Sequence, residues 1–370
     1  MLLIDSLATI APLAELFSDR SILEAMLAFE VALARAQAVL ETEIARVEEA
    51  SRRLANQHAH TVMLGRTLLQ GGPPITFGLK AAGWLGTIRR GRKRLKAAFG
   101  EALVLQFGGA SGTLAALGDR GLEISAALAQ ELSLACPEAP WHTHRDRLAA
   151  LMCACGVLTG SLGKIARDIS LLMQGEVGEV AEASTPGRGG SSTMPHKRNP
   201  IGCSLTLAAA QRVPGLVASF LAAMVQEHER AAGGWQSEWP TVAGIIQSTG
   251  LAAASVAEVL EGLAVDVTEM RTNIEATHGT VFAERAMMLL APHLGRDVAH
   301  QLLGEAVRKA VEQKRPLPEV LGEMPEVSRL LDHDVLESFD DPEKYLGVAE
   351  EFRLRLLATC KQENPHDKKE

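Results

Sequence analysis

From Ser21 to Leu64 the chain reads SILEAMLAFEVALARAQAVLETEIARVEEASRRLANQHAHTVML, with no glycine and no proline. Ala, Leu, Glu and Arg dominate, and the apolar residues Leu23, Met26, Leu27, Val31 and Leu33 recur at the spacing of a helical face. Ser18-Asp19 or Ser21 supplies the cap that opens this helix. A continuous helix of that length would run about 60 Å at 1.5 Å per residue, more than a small domain can cover. Either it breaks near Thr42 or it belongs to an oligomer.

Further helical stretches lie at Ile75 to Ala98, Asp146 to Gln174 and Pro200 to Glu229, with another from about Val242 to Leu263. Gly-rich connections separate them, at Phe107 to Thr113 and at Pro186 to Gly190. Alternating runs of Val, Ile, Thr and aromatics are missing, and aromatics make up only 4% of the chain, so the fold class is all-α. After Met270 the prolines at 292, 316, 318, 325 and 342 punctuate shorter helices. The expected division is an N-terminal helical segment (1–64), a central long-helix bundle (65–269) and a small C-terminal helical domain (270–370), its last residues from Asn364 frayed. Helices this long, rich in alanine and apolar on more than one face, fit a bundle shared between subunits.

A chain of 370 residues that is 47% hydrophobic buries a sizeable core. Its net charge of -8 argues against nucleic acid as a partner, because phosphate binding needs clustered cations. The basic clusters, such as Arg89 to Lys96, are short and read as a solvated helix face. Five scattered cysteines give neither a disulfide framework nor metal-ligand spacing. No basic N-terminal region precedes a long apolar run, and no eighteen apolar residues occur without a charge or a strong breaker. The expectation is a cytoplasmic protein with no membrane span, no metal and no organic cofactor.

The run that carries chemistry is Gly189-Gly190-Ser191-Ser192-Thr193-Met194-Pro195-His196-Lys197-Arg198-Asn199-Pro200. A Gly-rich lead supplies hydroxyls and two cations, and Asn199 then caps a helix whose first position is Pro200. Such a helix start favours an anion nearby, which suits a substrate bearing carboxylates. On composition alone an ordinary loop before a capped helix fits as well. A second run, Trp141-His142-Thr143-His144-Arg145-Asp146-Arg147, opens a helix with two imidazoles and two guanidiniums that could clamp anions, or could simply form salt bridges. Gly65-Arg66-Thr67-Leu68-Leu69-Gln70 is a third run, and Gln226-Glu227-His228-Glu229-Arg230 with Trp235 to Trp239 is a fourth. The fourth also reads as a solvated helix end. The remaining histidines, His58, His60, His278, His293, His300, His333 and His366, fall in no constellation.

The order of residues from Gly189 to Pro200 resembles the signature of the fumarase/aspartase superfamily. The likeness runs from Phe17-Ser18-Asp19-Arg20 to Asp341 to Gly347, and is strongest from Leu64 to Trp239. The resemblance implies proton removal next to a carboxylate, or the reverse addition, through an enolate-like dianion. It casts Ser191 as the base, its alkoxide stabilised by amides and cations. Lys197 and Asn199 then bind the substrate carboxylate, beside Ser192, Thr193 and Met194. Elimination enzymes of the superfamily carry a histidine where this chain has Leu68. Carboxymuconate cycloisomerases lack it too, and the second and fourth runs are similar to theirs. That likeness adds His142 as a catalytic residue, and Arg145, Arg66, Thr67, Gln70, Gln226 and Arg230 as substrate-binding ones.

The implied reaction closes 3-carboxy-cis,cis-muconate, a tricarboxylate, to a γ-lactone in aromatic-acid catabolism, in a homotetramer whose active sites each draw on three subunits. One family segment is missing near Leu40-Glu41, including a Gly-Ala-Thr-Ser-Gln-Asp loop that holds a substrate carboxylate. Two other readings follow: a catalytically silent relative with a structural role, and a lyase of the adenylosuccinate or argininosuccinate type.

Overall fold

The computed structural model describes residues 19–183, 189–190, 193–194 and 197–358, with side chains from residue 32 onward. The opening helix, α1 (Asp19–Gln57), runs 39 residues without a break. Thr42, where a break was an option, returns its hydroxyl to the Ala38 carbonyl at 2.9 Å and stays within the helix. Leu40, Ile44, Val47, Ser51 and Leu54 are all buried, and their alternating steps of four and three residues keep one face inward.

Past Gln57 the structure departs from the expected helix to Leu64. Strands β1 (Val62–Thr67) and β2 (Gln70–Thr76) form an antiparallel hairpin with an irregularity at Leu64/Gly65. Its two-residue tip, Leu68-Leu69, has φ of 50° and 65°, the left-handed pair that a tight hairpin turn requires. Pro73 and Pro74 disguise the second strand, and burial of Val62 and Leu64 against C-terminal helices stabilises a pairing too short to show a period.

Five further helices follow: α2 (Phe77–Ala102), α3 (Gly121–Glu131), α4 (Asp146–Leu172), α5 (Ile201–Ala222) and α6 (Gly234–Glu261). All but the short α3 were expected, with shifted ends. The largest differences are that α5 stops at Ala222 rather than Glu229, and that α6 starts eight residues before Val242. The charged run from Gln226 to Arg230 therefore lies in a connection, not at a helix end.

The chain divides into two compact units: Met1–Arg46, Ile88–Lys164 and Ser204–Ala257 form the first, and Val47–Thr87, Ile165–Cys203 and Glu258–Glu370 the second. The expected division was contiguous, whereas each unit draws on three separated stretches. In the first, Ile88, Phe99, Leu151, Leu158, Val213, Phe220 and Ile245 are fully buried, each contributing about 1.5–3 kcal/mol. Small residues let the helices close in. A Cβ on Gly163 would sit 2.6 Å from that of Ala210, so α4 and α5 could not approach this closely with any larger residue there. The hydroxyls of Thr159 and Thr249 meet at 2.9 Å and satisfy each other inside the packing between α4 and α6.

In the second unit, α7 (Val267–Glu275) is capped by Asp266, which accepts from the Glu269 amide at 2.9 Å. Together with α8 (Ala283–Leu294) and α9 (Arg296–Gln313) it builds a core around Phe282, Leu290, Leu321 and Phe339. The hairpin's Val62 and Leu64 belong to this core. Residues expected in the N-terminal segment thus help to hold the C-terminal helices.

Helices α4, α5 and α6 are each long and apolar enough, by length and composition alone, to cross a membrane. The sequence analysis counted uninterrupted apolar runs; in these helices Ala, Gly and Thr among few charges raise the mean hydropathy instead. Of the most apolar window, 61% is buried in α4 and 56% in α6, but only 22% in α5, where Leu205 and Leu221 stand exposed.

Candidate active site

In the first unit four of the expected site residues converge. Loop 103–114, the start of α4 and the connection from α5 to α6 enclose a cavity of about 180 Å³, whose walls include His142, Arg145, Gln226 and Arg230. The Arg145 guanidinium is buried and held by Glu238. Its Nε donates to both carboxylate oxygens at 3.0 and 3.1 Å, and Nη2 donates to Oε2 at 2.7 Å. It also lies 5.0 Å from the centre of the Trp141 ring. This cation, expected as a substrate-binding residue, is neutralised within the protein, as burial of a charge requires, while it still lines the cavity.

Gln226 donates from Nε2 to Glu238 at 2.7 Å and to the Ala223 carbonyl at 3.2 Å. Its Oε1 is buried without a protein partner, as is His142 Nε2. An unmet acceptor and an unmet nitrogen on one cavity mark where an entering group completes the hydrogen bonding. Arg230 reaches back to the Gly-rich loop, donating to the Ala110 carbonyl at 2.9 Å and to that of Gly109. His142 is pushed down to about 4, first by burial and then by the Arg230 and Arg145 guanidiniums, against a pull from the Gly109 carbonyl. It is a neutral imidazole at neutral pH. Gly108 makes room for it, since a Cβ there would lie 2.8 Å from His142 Nε2.

The remaining expected residues belong to the second unit. Arg66 forms a two-pronged pair with the buried Glu179, at 2.6 and 2.9 Å. Glu179 also accepts from Asn273 at 3.0 Å. Like Arg145, Arg66, expected as a substrate-binding residue, is paired with a carboxylate of the protein itself. Thr67 and Gln70 pair across the hairpin tip and are exposed.

The signature loop closes on itself. Asn199 donates its amide to the Gly189 carbonyl at 2.9 Å, Gly190 bridges Arg198, and the Lys197 amide turns back to Met194 at 2.9 Å. Thr193, Met194 and Lys197 are exposed. Ser191 and Ser192 lie outside the described residues. Helix α5 begins at Ile201, and the anion at its start is the chain's own: Glu182 accepts from the Gly202 and Cys203 amides at 3.0 and 2.9 Å. Where the sequence analysis expected a substrate carboxylate, a buried carboxylate 20 residues upstream takes two amides of this helix start. Burial and Glu182 together push the Cys203 thiol well above its ordinary range.

Sequence reasoning missed Gln106, Glu179 and Glu182, each an isolated polar residue whose partner is distant in sequence. His333, expected in no constellation, stands with Asp334 and Glu337, ligand atoms within 4.8 Å of one another, but all three are exposed on a five-residue helix.

A family model described as Lyase matches residues 24–215, and one described as Adenylosuccinate lyase C-terminus matches residues 279–356. The 3-carboxy-cis,cis-muconate cycloisomerase of Pseudomonas aeruginosa is 51% identical over 326 residues, which cover 88% of this chain and 71% of that protein. The chain belongs to the 3-carboxy-cis,cis-muconate cycloisomerase family. A crystal structure of the 3-carboxy-cis,cis-muconate lactonizing enzyme from Pseudomonas putida superposes with a TM-score of 0.83 at 46% identity, covering 89% of this chain and 73% of that one. The nitrosuccinate lyase of Streptomyces davaonensis is 40% identical over 340 residues, 90% of this chain and 72% of that protein. The chain spans 71% of the length of the P. aeruginosa relative, and α1 runs unbroken across Leu40-Glu41, where the resemblance implied a missing segment.

Proposed function

We propose that the protein closes 3-carboxy-cis,cis-muconate to a carboxylated γ-lactone. One substrate carboxylate oxygen adds to the diene, and the neighbouring carbon takes up a proton, so atoms balance without a second reactant. Read backwards, Ser191 removes that proton, and the negative charge that builds up on the carboxylate is met by Lys197 and the loop amides. The observation that carries this reading is the joint presence of the Gly189 to Pro200 loop and the His142 cavity in a chain 51% identical to the P. aeruginosa cycloisomerase.

The proposed assembly is a cytoplasmic homotetramer with shared active sites. The largely unburied apolar window of α5 supports it, since such a surface is stabilised when a second copy covers it.

The test is the ultraviolet absorbance of the diene, which falls as the ring closes. Ser191→Ala is expected to lower kcat by about 10³-fold; equal activity in the variant would remove Ser191 from the mechanism. A second reading, elimination from a succinyl-type substrate, is favoured by the 40% identity to nitrosuccinate lyase. Release of an unsaturated dicarboxylate, with the diene left untouched, would establish it instead.

A further inference from the structure

We infer that Gln106 is a positioning residue that holds His142 in the neutral form protonated on Nε2, so that His142 serves the reaction as a hydrogen-bond donor and not as a cationic acid. The inference deepens the cycloisomerase reading and rests on it for the reaction concerned.

Two contacts decide the matter. The Trp141 backbone amide can only donate, and it donates to Gln106 Oε1 at 2.9 Å. That fixes which end of the Gln106 side chain is oxygen. Its NH₂ end therefore faces His142 Nδ1, with which it is in close contact. An NH₂ group can only donate, so Nδ1 must present a lone pair, and the ring proton resides on Nε2. Protonating Nδ1 would set two donors against each other.

The charged groups around the ring act in the same direction. Arg230 and Arg145 both disfavour a cation there, and the carboxylate in the network among the described residues, Glu238, is bound to Arg145 and Gln226. Nε2 is buried on a ring that lines the cavity and completes no hydrogen bond among the described residues, the Gly109 carbonyl being the one acceptor that acts on the imidazole. It is a preorganised donor for an oxygen whose negative charge grows in the reaction, and the Gln106 contact is absent from the substrate-binding runs the sequence displays.

The role differs in its consequences from that of an imidazolium. A neutral donor gives no proton away, so activity carries no acidic limb from His142 between pH 5 and 8. Replacing Gln106 by Glu would keep the acceptor for Trp141 and turn the second oxygen into an acceptor for Nδ1–H. His142 would then titrate, and on losing its proton would turn a lone pair towards the substrate.

The experiment is ¹⁵N NMR of the imidazoles in the full-length protein, with His142→Gln for assignment, alongside the diene assay of Gln106→Glu. The native protein is expected to show His142 neutral and protonated on Nε2 from pH 8 to pH 5. Gln106→Glu is expected to raise the His142 pKa and to add a limb in which kcat falls as pH rises, by about 10²-fold at the plateau, with KM little changed. A native His142 protonated on Nδ1, or titrating near its ordinary value, would overturn the inference, as would a Gln106→Glu profile parallel to the parent's. Should the parent leave the diene untouched, the function reading fails, while the spectrum still decides the protonation state.

Discussion

The cavity around His142 and the surface of the signature loop treat charge in opposite ways. Around His142 every described cation has a protein acceptor: Arg145 has Glu238, and Arg230 has two loop carbonyls. On the loop, Lys197 is exposed and stands beside Thr193 and Met194 at the surface. The first region is a scaffold whose polar groups orient one another, leaving only a neutral donor and an acceptor unmet. The second displays charge towards whatever arrives.

That contrast can be broken most sharply at Glu238. Glu238→Ala leaves the Arg145 guanidinium buried and unpaired, and is expected to lower stability by about 3–5 kcal/mol, read as a shift in the urea midpoint. An unchanged midpoint would mean that water already serves Arg145. Next in size, Lys197→Ala is expected to lower kcat/KM by about 10²-fold with an unmoved urea midpoint, measured in the diene assay. If stability fell and catalysis did not, the display reading of the loop would be wrong.

The smallest effect is on pH. The unfolded chain protonates His142 near 6.5 while the folded protein holds it at about 4, so between those values the unfolded state binds the extra proton and stability falls as pH drops. For a half-buried ring the loss is on the order of 1 kcal/mol, visible as a difference between the parent and His142→Gln in denaturation at pH 7 and pH 4.5. Equal losses in both would remove His142 from the acid sensitivity.

The long helices were legible because each repeats its apolar residues at helical spacing over many turns, as Leu40 to Leu54 does in α1. The hairpin was not, because six or seven residues containing Pro73 and Pro74 show no period, and what fixes them is burial of Val62 and Leu64 under helices more than 200 residues away. In the site, residue types were legible and pairings were not. The run around His142 was visible as chemistry, but the 93 residues separating Arg145 from Glu238 hid the fact that one neutralises the other. Glu182 was hidden in the same way: nothing in its neighbours says that it will lie at the start of α5.

The unbroken first helix has a consequence for how this chain tolerates change. Each residue added to an α-helix turns everything beyond it by about 100°. One alanine placed between Leu40 and Glu41 would swing Ile44, Val47 and Leu54 out of the buried face together, while seven would bring them nearly home. The junction therefore behaves as a combination lock, in which the number of residues inserted matters more than their identity.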